Sequence, residues 1–444
     1  MNSTSFSSLK RPAILFPGQG SSWQQALADA AATPVARIRM EQLLNDAQSL
    51  TAAVARPLAS VVPGVVQRIR DAMDADTSHE AIDALPAVSA PAILLSQIVA
   101  AEDLEQLGLD TTDALFAGHS QGILGAAALN RANGPQAAEK ALAFAFIMGA
   151  AATNVYGGAD SRSRMLSVRG LTPEQVGEFV VDTQAAPISV INGHRHVVLS
   201  GSPEALAQAR KDIEAAASNY NAKLEVEYGG SEITPVFDSL DVAYLFHVDT
   251  NAPGVELAQQ WADACGITFE TTTPRELAQS ILVDRFDFTE TVRDLIAQGA
   301  SHIFTFDTAT ATIATNLANG SGVAVLDAST AAKRDELARP GAELPQGVDY
   351  SAYAPRVIAL PDGKTYTQTK FSSLTGLSPI ILGGMTPTSA DGEIVAAAAN
   401  AGYWAELAGG GMYSEEEFGK HTANLKAFLQ PGRTAQFNTM FFDR

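Results

Sequence analysis

Gly118-His119-Ser120-Gln121-Gly122 has the form Gly-x-Ser-x-Gly. It sits between an apolar run, Ala114–Ala117, and a helical pattern, ILGAAALN. A serine on a sharp strand-to-helix turn needs small neighbours, because the backbone there is strained. Such a turn exposes the hydroxyl and aims helix N-terminal amides at a developing oxyanion. The arrangement predicts Ser120 as a nucleophile. A serine hydroxyl needs a base at neutral pH. Seven histidines are available: His79, His119, His194, His196, His247, His302 and His421. His119 is expected to point elsewhere from the same turn. His247, in AYLFHVDTNAPG, ends an apolar strand-like run at a loop and is the best candidate. Asp249 is near enough in sequence to orient it, but an exposed loop aspartate is the favoured reading.

These residues need a scaffold. Ala13–Phe16 read as a short buried strand, broken by Pro17-Gly18-Gln19-Gly20. A strand leaving through a Gly-rich turn is where α/β folds place active-site loops. Residues 24–110 read as mostly helical, with breaks expected at Pro57, Pro63, Pro86 and Pro91. From 160 to 228 the pattern becomes β-α-β-β-α-β, closing with a strand at LEVEY. That order predicts a ferredoxin-like subdomain inserted into a larger α/β domain. The larger domain resumes at Ile233–His247, with late strands at Ser301–Phe306 and Val323–Leu326. The organisation expected is 1–330 for this domain, 331–374 as a linker with two short β-like runs, and 375–444 as a parallel strand-helix series.

Composition narrows the classes. The chain has 444 residues, 46% hydrophobic and 18% charged, as in a soluble globular protein. A net charge of −20 argues against nucleic acid, whose phosphates need a basic surface. Cys265 is the single cysteine, which excludes an internal disulfide or a zinc cluster and suits the cytoplasm. No metal site is expected. The polar start MNSTSFSSLKRP lacks the apolar segment of a secretory signal. No apolar run approaching 18 residues is evident, so no membrane span is expected.

FPGQGSSW, then GHSQG, then an insert with INGHRHVVLSG, then the Phe246-His247 pair resembles the malonyl/acetyl transferase family over about residues 11–330. The segment TYTQTKFSSLTGLSPIILGGMTPTSADGEIVAAAANAGYWAELAGGG resembles the entry to the enoyl reductase barrel of fungal and actinobacterial type I fatty acid synthases. The resemblance implies an α/β-hydrolase-like large subdomain, the inserted ferredoxin-like subdomain, and a partial (β/α) barrel. It implies Ser120 as the acylated nucleophile and His247 as general base, steered by a backbone carbonyl. The backbone amides of Gln19 and Gln121 would form the oxyanion hole. Asn192 would lie by the substrate pocket.

Malonyl-specific members carry an arginine on the helix after the nucleophile, which pairs with the malonyl carboxylate. Met148 stands in that place here, in AFAFIMGAAATN, and residues 137–152 contain no arginine. The family comparison therefore implies acetyl transfer from acetyl-CoA to the phosphopantetheine thiol of an acyl carrier protein, in a cleft free of arginine. An acidic carrier protein would dock on a local basic patch. Coenzyme A thioester is the implied substrate, with no cofactor required and other domains of a type I synthase as partners. A complete barrel takes roughly 250 residues, so FMN is expected only in a longer chain. The rival expectations are a malonyl or longer-chain transferase, an α/β-hydrolase esterase, and a scaffold with a decayed site. Two departures from the family concern the pocket: Ala90-Pro91-Ala92 replaces Gln-Pro-Ala, and TFDTATAT replaces a Gly-Pro-Gly turn, placing Asp307 near the site.

Overall fold

In this computed structural model the described residues are all except 1–4, 20–22, 75–83, 157–163, 228–231, 241, 243, 354–355, 360–364, 387, 411, 413 and 439–444. The chain falls into two units, Met1–Asp349 and Tyr350–Arg444. The strands of the first unit are β1 (Pro12–Phe16), β2 (Leu115–Gly118), β3 (Met165–Arg169), β4 (Ile188–Gly193), β5 (His196–Ser200), β6 (Val236–Ser239), β7 (Phe286–Asp287), β8 (His302–Thr305) and β9 (Ala324–Asp327).

β1, β2, β8 and β9 form a parallel sheet in the order β2-β1-β8-β9. All five residues of β1 are buried, which explains its unbroken apolar sequence. β1 and β2 are neighbours, so the loops leaving their carboxyl ends emerge side by side. The Pro86–Gln106 and Ala137–Tyr156 helices pack against each other beside this sheet. Pro86 opens its helix, where its missing N–H is harmless. Pro91 does not break the helix as expected. It lies within it, at the cost of a bond to the Ala87 carbonyl. This helix is also long and apolar enough to cross a membrane by length and composition, contrary to the sequence expectation, since Ser and Gln interrupt its apolar runs. Of its apolar window 89% is buried inside the protein, so it serves as a core helix.

The small sheet has the order β6-β3-β5-β4-β7. Its first four strands are antiparallel and carry the Pro173–Phe179 and Pro203–Glu227 helices, which is the ferredoxin-like arrangement. The closing strand is not LEVEY. The Pro203–Glu227 helix continues through that alternating sequence, and Val236–Ser239 supplies the fourth strand. No Gly or Pro interrupts the helical run before Gly229, so the short period-2 pattern does not prevail. β7 extends the sheet by pairing parallel with β4.

The first unit runs past residue 330. The Ala331–Ala338 helix belongs to it, anchored by buried Arg334, whose Nε donates to Asp103 Oδ2 at 2.6 Å. In the second unit, a hairpin of β10 (Arg356–Ala359) and β11 (Thr365–Gln368) precedes a parallel sheet of β12 (Ser378–Leu382), β13 (Tyr403–Ala408) and β14 (Gln436–Asn438). Helices Gly392–Asn400 and Glu415–Phe428 connect the parallel strands, around Val395, Leu407 and Leu425.

Candidate active site

The serine turn is built by close backbone packing. His119 N–H donates to the Phe16 carbonyl at 2.8 Å and Gly122 N–H to the His119 carbonyl at 2.9 Å. A Cβ on Gly118 would lie 2.0 Å from the backbone of Gly122 and Ile123. A Cβ on Gly122 would lie 2.0 Å from the Phe16 carbonyl oxygen. Both glycines of the motif are therefore required by space. Ser120 takes a left-handed φ of 52° and opens the short turn before the Ile123–Leu129 helix.

Ser120 Oγ lies 2.7 Å from His247 Nε2, across 127 residues of sequence. His247 does not end a strand. Tyr244–Val248 is a buried loop, and His247 itself has a left-handed φ of 59°. Its Nδ1 lies 2.7 Å from the Asp284 carbonyl oxygen. A carbonyl only accepts, so Nδ1 carries the proton and Nε2 is free to accept from the serine hydroxyl. Asp249 is exposed and plays no part in this bond. Burial pushes the His247 pKa down to about 4, against the opposing hydrogen bond to the Asp284 carbonyl. The ring is thus neutral at pH 7, as a base must be. Asn251, fully buried, fixes the loop: its Nδ2 donates to Leu245 O at 2.6 Å and Leu282 O at 3.0 Å.

Ser120 opens into a cavity of about 350 Å³. One wall is the pair of loops after β1 and β2, including Gly18, Gln19 and His119. The facing wall is the open face of the small sheet, and Asp307 caps a helix on a third side. His119 does not point away, as the sequence suggested. It lines the cavity, and its Nε2 lies 2.7 Å from Asn192 Oδ1, joining the serine turn to the small subdomain. Burial lowers the His119 pKa, and Phe288 and Phe286 hold its ring at 4.6 and 5.2 Å between centroids. Gln19 Nε2 donates to Gln121 Oε1 at 2.6 Å and to Ser89 Oγ at 3.0 Å. Gln121 Nε2 in turn donates to Ala90 O at 3.0 Å, and Gln97 Nε2 to Pro17 O at 2.7 Å. These amides, of which Gln97 and Gln121 are buried, lock the two loops together, and with them the positions of the Gln19 and Gln121 backbones.

Ser120, His247, Gln19, Gln121 and Asn192 therefore converge. Met148 does not join them: it is completely buried in the Ala137–Tyr156 helix and is not part of the cavity wall. The cleft is not free of arginine either. Arg169, at the outer end of β3, lines it and is paired with Asp238 at 2.5 Å. Arg169 carries no sequence signal, because it comes from the small sheet, outside the helix where the resemblance places an arginine. Asn251, Asp284 and Phe286 were also missed. Asp284 acts through its main chain, which no side-chain pattern reports. No group of three side chains suited to a metal occurs among the described residues.

Residues 164–239 match the family model "Fatty acid synthase central AT domain". The fatty acid synthase subunit beta of Aspergillus oryzae is 26% identical over 385 residues, covering 73% of this chain and 19% of that protein. The Saccharomyces cerevisiae subunit beta is 26% identical over 322 residues, 63% of this chain and 16% of that protein. The chain is similar to these fatty acid synthase subunits. The chain spans about a fifth or less of the length of those subunits. The family model covers β3 to β6, the small subdomain that carries Asn192 and Arg169. The fold resembles that of a malonyl-transacylase solved in complex with a type II polyketide synthase acyl-carrier protein, with a TM-score of 0.55 and 18% identity over 74% of this chain and 99% of that one. The malonyl-CoA:acyl carrier protein transacylase of Helicobacter pylori shares it, with a TM-score of 0.54 and 18% identity over 74% of this chain and 97% of that one.

Proposed function

We propose that this chain transfers acetyl groups from acetyl-CoA to the phosphopantetheine thiol of an acyl carrier protein, as the loading step of a cytoplasmic type I fatty acid synthase. The observation that carries the reading is the 2.7 Å contact between Ser120 Oγ and a neutral His247 Nε2. Ser120 Oγ attacks the thioester carbonyl carbon while His247 Nε2 takes the hydroxyl proton. The backbone amides of Gln19 and Gln121 are the proposed donors to the oxyanion, where one such donor is typically worth about 3 kcal/mol. The intermediate collapses by breaking the C–S bond, and His247 returns the proton to the departing coenzyme A thiolate. The carrier thiol then repeats the sequence in reverse on the acetyl-serine, giving ping-pong kinetics.

Acetyl is favoured over malonyl by the charges on the cavity wall. The cavity wall carries one arginine, Arg169, which stands with Asp238 at the outer end of the small sheet, away from Ser120. The inner wall presents Met165, Val190, Val198 and Phe246. A malonyl carboxylate placed there without a partner would lose several kcal/mol, on the order of a hundredfold or more in rate.

The reading of residues 375–444 as the opening of an enoyl reductase barrel is supported by the parallel order β12-β13-β14 and by Ile380 and Ile381, exposed at 63% and 48% on β12.

Intact-mass spectrometry after mixing with acetyl-CoA or malonyl-CoA tests the assignment. Acetyl adduct on the native chain, its absence in Ser120→Ala, and a smaller malonyl adduct are expected. Preferential malonylation would overturn the substrate assignment, and adduct on Ser120→Ala would overturn the nucleophile.

A further inference from the structure

The open face of the small sheet runs outward from the nucleophile, and its chemistry changes along the way. From Asn192 on β4 to Asp238 on β6 the order is β4-β5-β3-β6. Neighbouring strands lie about 4.8 Å apart, so Asp238 stands three steps, roughly 14 Å, from Asn192. His119 binds Asn192, which fixes the reacting end at β4. Between the two ends lie His196 on β5 and Ser167 on β3, joined through His196 Nε2 and Ser167 Oγ at 2.9 Å. Arg169 and Asp238 close the outer end, with side chains half exposed at 50% and 54%.

We propose that Arg169 recognises the phosphate at the far end of the pantetheine arm, and that Asp238 is the resident counter-ion this phosphate displaces. The inference rests on the thioester chemistry proposed for Ser120. A thioester whose carbonyl sits at Ser120 extends its arm across the sheet. Its amides pass the polar His196–Ser167 pair, and its first charge is the phosphate. Burial holds the His196 pKa down at about 4, so this ring brings no charge at neutral pH. Asp307, the other carboxylate in the wall, is occupied by the Thr310 N–H and hydroxyl at 2.7 and 2.9 Å. Arg169 is thus the cation on the arm's route. Asp238 Oδ2 takes one terminal nitrogen of a guanidinium that presents five N–H donors in all. A fork of that kind suits a phosphate better than a point charge does. The same phosphate occurs in coenzyme A and in the carrier's prosthetic arm, so one residue serves both half-reactions.

The test compares donors with and without the phosphate. Arg169→Met is expected to raise KM for acetyl-CoA about tenfold, the effect of one charged hydrogen bond. It should leave kcat, and KM for acetyl-pantetheine, near the native values. Arg169→Lys should recover part of the loss, and Asp238→Asn should lower KM for acetyl-CoA. The acceptor arm repeats the comparison with holo-carrier protein against free pantetheine. An effect confined to acetyl-CoA assigns the residue to coenzyme A, one confined to the carrier assigns it to the carrier, and both together establish the shared site. Equal changes for acetyl-CoA and acetyl-pantetheine, or no change with either donor or acceptor, overturn the proposal. A native chain that forms no acetyl-serine would instead sink the transferase reading itself, before Arg169 is tested.

Discussion

Lowering the pH should silence Ser120 only under strongly acidic conditions. In the proposed mechanism His247 accepts its proton, and burial takes the pKa of His247 from 6.5 down to about 4. That difference amounts to about 3 kcal/mol against the imidazolium. The phenyl ring of Phe286, 5.9 Å from the imidazole between centroids, forms part of the dry surround. The hydrogen bond to the Asp284 carbonyl favours the charged ring but does not offset burial. The rate of Ser120 acylation, read by quenched intact-mass spectrometry under kcat/KM conditions, reports this pKa in the free protein. It should be flat from about pH 8 to pH 5 and halve near pH 4. Phe286→Ser, which lets water reach the ring, should move that midpoint upward toward 6.5. Folding stability follows with a definite sign. Above 6.5 neither the folded nor the unfolded chain protonates this histidine, and it contributes nothing. Between 6.5 and about 4 the unfolded chain takes a proton that the folded one refuses, so stability falls as pH falls, by up to about 3 kcal/mol. Buried His119, its pKa also lowered, adds in the same direction. An acylation midpoint near 6.5 in the native chain would refute the reasoning, because it would mean that the ring meets water before it meets substrate.

Four other substitutions test the scaffold. Asn251→Ala removes the donor to Leu245 O and Leu282 O and should cost about 2–3 kcal/mol in urea unfolding, with acetylation slowed by the loosened His247 loop. Gly122→Ala drives a Cβ to 2.0 Å from the Phe16 carbonyl and should lower Tm sharply and abolish adduct formation, whereas Gly177→Ala, in open space on a helix, should raise stability by about 0.5–1 kcal/mol. Met148→Arg buries a guanidinium at a fully buried position away from the cavity wall, so it should lower Tm and leave the ratio of malonyl to acetyl adduct unchanged; a raised malonyl ratio would return that position to the substrate site.

Local pattern carried much of this. The Gly-x-Ser-x-Gly turn was legible because Gly118 and Gly122 sit where no other residue fits, and a steric demand of that kind leaves a fixed spacing. The ferredoxin-like order was legible from alternating short strands and helices, although its last strand was placed too early. Period-2 alternation over five residues is weak beside an uninterrupted helix that reaches Glu227. His247 was chosen from seven histidines by its apolar approach, yet that approach is a loop pinned by Asn251 rather than a strand. What stayed hidden is what the third dimension assembles: a main-chain carbonyl from Asp284, and Arg169 and Asp238 meeting from β3 and β6.

The way the two reacting groups are held separates this site from a triad that relies on an acid. Ser120 and His247 are the non-glycine residues with left-handed φ among the described residues, at 52° and 59°. Such conformations cost of order 1–3 kcal/mol each and persist only where the surroundings over-determine them. Here the glycine packing against β1 holds one and the Asn251 clamp holds the other. The Asp284 carbonyl then sets the tautomer without adding a formal charge to a buried ring. A carboxylate in its place would raise the pKa of His247 and bring protonation closer to neutral pH. Main-chain steering keeps the base neutral across the whole physiological range. The geometry therefore depends on loop backbone, and substitutions that loosen the loops should disarm the dyad without touching either side chain.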